Sequence, residues 1–166
     1  QCDWSSDVCS SDLMSRTTVW LTHNRARLAL HCLRGGEGRP LLLLHGLGEQ
    51  SPHVVPPWAE PWRGPVWALD FTGHGESEIP LGGGYSAEIL LADADQALAH
   101  LGTATVVGRG LGAYIALMLG GARAAQVTGT VLLDGPGLFG GATGPSSNSF
   151  VVLPQATTTP DPDRKS

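Results

Sequence analysis

An α/β fold built on a mostly parallel sheet is predicted by three features of this 166-residue chain. Short apolar runs alternate with stretches of helical period, glycine-rich loops follow the apolar runs directly, and the length suits one domain with a single core. In order along the chain, Thr18–Thr22 and Leu28–Leu33 alternate apolar with polar residues on either side of a polar link, and read as an antiparallel hairpin. Leu41–Leu44 is an uninterrupted apolar run of the kind that suits a strand buried on both faces, and Val66–Leu69, Thr105–Val107 and Val131–Leu133 repeat it. Ser86 stands as an N-cap before Ile89, Leu90, Asp93, Ala94, Ala97, Leu98 and Leu101, which recur at helical spacing. Leu111–Leu119 reads as a second helix, stopped by Gly120-Gly121. Strands interleaved with helices imply right-handed crossovers, and in such sheets the chemistry sits in the loops beyond the carboxyl ends of the strands.

Composition narrows the function classes. With 42% hydrophobic residues and a mean hydropathy of +0.02, the chain is too apolar for a disordered tail. It holds no run of 18 apolar residues, so no membrane association is expected. Ten basic residues against 15 acidic give a formal charge of −5, and the basic ones are scattered, so nucleic acid is not an expected partner. Residues 1–13 are expected to stand outside the fold: Asp3–Leu13 can be written in codons that match a common sequencing-library adapter read in one frame, and Cys2 extends the match. The stretch lacks the apolar centre of a secretory signal. Setting it aside removes Asp3, Asp7 and Asp12, brings the charge to −2, and leaves Cys32 as the sole cysteine, which fits a small core residue in a reducing cytoplasm. Nine of the ten basic residues are Arg, a bias that GC-rich codon usage produces and that suits a bacterial source.

Three loops carry the functional signal. After Leu41–Leu44 comes His45-Gly46-Leu47-Gly48, which by itself reads as a glycine-rich tight turn. After Val66–Leu69 comes Asp70-Phe-Thr-Gly73-His74-Gly75-Glu-Ser77, whose glycines let the chain fold back tightly and whose His74 reads as structural. After Thr105–Val107 comes Gly108-Arg109-Gly110-Leu111-Gly112, a strand passing through a sharp turn straight into a helix. In this order and at these spacings, over roughly Thr18–Gly137, the chain resembles the α/β-hydrolase superfamily, AB hydrolase-1 type. The resemblance implies a mostly parallel sheet with flanking helices, C-terminally truncated, comprising a partial domain over 14–137. Residues 138–166 would form a low-complexity tail or the start of a truncated cap.

One position departs from the family pattern. The elbow G-x-S-x-G carries its nucleophile at the centre, and here Gly110 occupies that place. Glycine accepts the positive φ of the turn and supplies no hydroxyl, while the neighbouring Arg109 stays protonated and can be neither nucleophile nor base. The resemblance also orders the triad as nucleophile, acid, His, and no histidine follows Gly110; Asp134 is the candidate acid, or a structural aspartate. The backbone N–H groups of Leu47 and Leu111 would form the oxyanion pocket. The chain thus reads as a catalytically incompetent fragment of an ester-type hydrolase, or as a pseudoenzyme binding a small hydrophobic or carbonyl ligand. A reaction with a general base and no covalent step is a third reading. No cofactor or metal is expected, since there is no His/Cys/Asp cluster at ligand spacing and Gly108–Gly112 reads GxGxG rather than the dinucleotide GxGxxG. Asp134 lies near the distance of a ribose-binding acid, which keeps a dinucleotide site as a remote alternative.

Overall fold

A computed structural model describes residues 16–23, 25–80 and 86–133. Six strands form one sheet: β1 (Thr17–His23), β2 (Ala26–Arg34), β3 (Leu41–Leu44), β4 (Val66–Leu69), β5 (Ala104–Gly108) and β6 (Val127–Leu132). Two helices are interleaved with them, α1 (Ala87–Leu101) and α2 (Leu111–Ala122), and a short 3-10 turn covers Pro57–Ala59. The strand order is β1-β2-β4-β3-β5-β6; β1–β2 and β2–β4 are antiparallel and all other pairs are parallel. The sheet is therefore mostly parallel with an antiparallel hairpin on one edge, as the alternation of periods predicts.

The central strands show why four leucines in a row make β3. Lying between β4 and β5, it has no solvated face. Leu42 and Leu44 join the core beneath α1 and α2 with Leu69, Val106, Leu98 and Ile115. Leu41 and Leu43 point the other way and pack with Ala59, Val66, Ala68 and Val107. Cys32 is buried in β2.

Two expectations are corrected. Gly120-Gly121 do not stop the second helix, which runs to Ala122 and ends where the Arg123 N–H returns to the Leu119 carbonyl at 2.8 Å. A Cβ on Gly120 would lie 2.8 Å from Thr130 Oγ1, so this glycine serves the close approach of α2 to β6. The last strand is Val127–Leu132 instead of Val131–Leu133: it starts in the polar stretch Val127-Thr-Gly-Thr130, and Leu133 lies just past its end, donating its N–H to the Gly108 carbonyl at 2.9 Å. Ser86 does stand at the N-cap of α1, but its side chain makes no capping bond and engages the Glu88 carboxylate instead.

Candidate functional site

The three glycine loops converge at the carboxyl end of the sheet. Parallel pairing of β3 with β5 in register, Leu44 opposite Gly108, brings the loop after β3 beside the turn after β5. The contact is close: a Cβ on Gly112 would strike the carbonyls of Leu44 and His45, and one on Gly108 would strike the Gly112 carbonyl. Both positions therefore require glycine, and the first turn of α2 rests on the exit of β3. The Arg109 N–H donates to the Leu44 carbonyl at 3.0 Å, which pins the turn from the other side.

Gly110 sits at the apex with φ 57° and ψ −124°, a conformation that L side chains adopt only under strain. It is less crowded than Gly108 and Gly112: an added Cβ would meet the Gly46 Cα at 3.3 Å, a tight contact that needs the backbone to give by a few tenths of an ångström. The strand thus passes into the helix through a sharp turn whose apex carries no side chain.

The loop after β3 is ordered from within. His45 is buried, and its Nδ1–H donates to the Gly46 carbonyl at 2.7 Å while its Nε2 accepts the Phe71 N–H at 3.1 Å. These two bonds require the neutral Nδ1–H tautomer. Burial pushes its pKa down, outweighing the opposing Gly46 carbonyl. The Glu49 carboxylate turns back on the same loop: Oε2 accepts the Gly46 N–H at 3.0 Å, and Oε1 lies 3.2 Å from Arg109 Nη1. Glu49 and Arg109 therefore tie the first and third loops together, a link that sequence spacing gives no hint of. Among the described residues neither the Leu47 nor the Leu111 amide donates a hydrogen bond to another group.

The second loop is a structural clamp. Asp70 Oδ1 accepts the Ser51 N–H at 2.7 Å, and Oδ2 accepts the Glu76 N–H at 2.8 Å and His31 Nε2–H at 3.0 Å. Burial pushes the Asp70 carboxyl up, but the bonds from His31, Glu76 and Ser51 overcome it and hold the carboxyl well below the usual carboxylate range. Ser77 Oγ donates to the Asp70 carbonyl at 2.5 Å and accepts the Ala29 N–H at 2.9 Å, stitching the loop to β2. Gly75 is required because a Cβ there would enter the Asp70 carboxylate, and Gly73 and Gly48 also adopt positive φ. His74 is half-buried, with its ring centroid 5.1 Å from that of His45 and Nδ1 3.1 Å from the Thr72 carbonyl. Asp93, which falls in the helical spacing of α1 among apolar residues, is buried because Oδ1 bonds His23 Nδ1 at 2.6 Å and Oδ2 accepts the Thr72 N–H at 2.8 Å. Asp134 lies outside the described residues.

Two cavities meet at the elbow. One, of about 220 Å³, is walled by Leu43, Pro52, Pro56, Trp58, Val107 and Leu133. The other is an open cleft of about 770 Å³ bordered by Leu47, Gly48, Gly73, His74 and Gly75. Glu49, Gln50 and Arg109 line both. No group of three His, Cys, Asp or Glu among the described residues could hold a metal, and none of the described helices is long and apolar enough to cross a membrane.

Comparison with known proteins agrees with this architecture. The model of the alpha/beta hydrolase family matches residues 41–165. The chain belongs to that family. Over 88 residues this α/β hydrolase is 33% identical to the soluble epoxide hydrolase of Corynebacterium sp. (strain C12), a match covering 49% of this chain and 30% of that protein. It superposes on the thioesterase domain from the curacin biosynthetic pathway with a TM-score of 0.64 at 26% identity, covering 74% of this chain and 47% of that one. An epoxide hydrolase from Vigna radiata matches with a TM-score of 0.60 at 23% identity, over 72% and 40% of the two chains, a likeness of fold alone. This α/β hydrolase chain spans less than half the length of each of these proteins.

Proposed function

We propose that this chain carries the binding half of an α/β-hydrolase site and does not hydrolyse esters through a covalent intermediate. The observation behind this is Gly110 at the apex of the sharp turn between β5 and α2, where the chain has no side chain to act as nucleophile. Without a hydroxyl at that point no acyl-enzyme can form there. The Leu47 and Leu111 amides are the donors that would receive a carbonyl or an oxyanion, and the apolar cavity that begins at Gly108 and Arg109 would take the rest of a small ligand. On this reading the chain is a non-catalytic relative that binds a small hydrophobic or carbonyl compound, and Asp134 has no acid role to fill.

Mass spectrometry after incubation with a fluorophosphonate, beside release of p-nitrophenolate from p-nitrophenyl butyrate, tests this. The expected results are no adduct within residues 106–114 and no turnover above buffer. An adduct there, or turnover removed by Gly110→Ala, overturns the proposal.

A further inference from the structure

We propose that the ligand of this cleft bears a carboxylate, recognised by Arg109 at the junction of the two cavities while its apolar chain fills the smaller one. This rests on the reading of the cleft as a ligand pocket and adds the charge and shape of what it takes. Arg109 is positioned by its backbone, whose N–H is held on the Leu44 carbonyl, so its side chain starts from a fixed point one residue before the elbow apex. Its guanidinium is 47% exposed and borders both cavities. A guanidinium has five N–H donors in a planar fork suited to two carboxylate oxygens. Among the described residues its ion-pair partner is Glu49, whose Oε1 lies 3.2 Å from Nη1.

Two further observations point to a polar-headed ligand with an apolar body. Glu49 shows that this junction accommodates a carboxylate, since its own oxygens already lie against the Gly46 amide and Arg109. The 220 Å³ cavity is walled mainly by Leu43, Pro52, Pro56, Trp58, Val107 and Leu133, which suit an apolar body rather than a second charge. The internal carboxylate competes with the ligand's, so removing the Glu49 charge should strengthen binding.

Calorimetric titration of the full chain with octanoate and with octanamide, which share a chain and differ in head-group charge, tests the proposal. Octanoate should bind about tenfold more tightly than octanamide. Arg109→Gln should bring the two affinities level by weakening octanoate, with an unchanged circular dichroism spectrum as the check that the chain is still folded. Glu49→Gln should widen the gap. Equal affinities in the unaltered chain, or a preference that survives Arg109→Gln, overturn the proposal and leave the ligand pocket standing. Absence of binding by either compound removes the pocket itself, and the proposal with it.

Discussion

The turn after β4 and the turn after β5 are both glycine-rich, lie at the same end of the sheet, and do opposite things with their polar groups. In the first, both oxygens of Asp70 are occupied by His31, Ser51 and Glu76, and Ser77 bonds on two sides. In the second, the apex has no side chain, the adjacent Leu111 amide has no acceptor among the described residues, and Arg109 is half exposed. Saturated polar groups hold a loop still; unsaturated ones at a cavity mouth leave it able to bind. A histidine in the first turn is therefore weaker evidence of chemistry than a bare amide in the second.

If that contrast is sound, substitutions in the first turn should damage the fold and those in the second should mostly spare it. Asp70→Ala strands two amides and an imidazole in a buried site, and is expected to cost about 3–5 kcal/mol in urea unfolding, enough to abolish a cooperative transition in a marginal chain. The same region sets the pH response. The Asp70 and His45 pKa values are both depressed on folding, so the unfolded chain binds more protons and stability falls on acidification. The His45 contribution is complete above its ordinary value of 6.5 and is lost as the pH drops below it, and that of Asp70 is lost below 3.8. Thermal midpoints from pH 8 to pH 3 should decline in that sense; a rise on acidification would contradict the assignment.

Gly112→Ala drives a methyl into the Leu44 and His45 carbonyls, and about 3 kcal/mol of destabilisation is expected from denaturant midpoints. Gly110→Ser meets a milder contact, the Gly46 Cα at 3.3 Å, besides the strain of its positive φ, and about 1–2 kcal/mol is expected by the same measurement. Should the two glycines prove equally costly, the apex has no room for a side chain and the nucleophile-free elbow needs another explanation. Smallest of all, Arg109→Gln should change stability by less than about 1 kcal/mol, because its pair with Glu49 is half solvated.

Much of this was legible in the residues, for reasons that differ from element to element. β3 and β4 match their apolar runs because both are flanked on two sides, and a strand with no solvated face has no alternation to misread. β6 is an edge strand with Thr128 and Thr130 in its first half, so its start is hidden behind a polar pattern. The length of α2 is misjudged because Gly120 is selected by the distance to Thr130, a tertiary demand that overrides helix propensity. In the site, the three motifs and the vacant Gly110 position could be read directly. The Asp70–His31 contact and the Glu49–Arg109 link could not: each joins residues on different loops or strands, and only the strand order decides that they meet.

The pairing of β3 with β5 has a kinetic consequence. Leu41–Leu44 finds Thr105–Gly108 only after about sixty intervening residues have been looped out, the kind of long-range closure that slows folding. On the function proposed above, the Leu47 and Leu111 amides would face a common ligand only once that closure is complete. Ligand affinity would therefore serve as a clock for the final step of assembly, lagging behind the hairpin of β1 and β2, whose contacts are local.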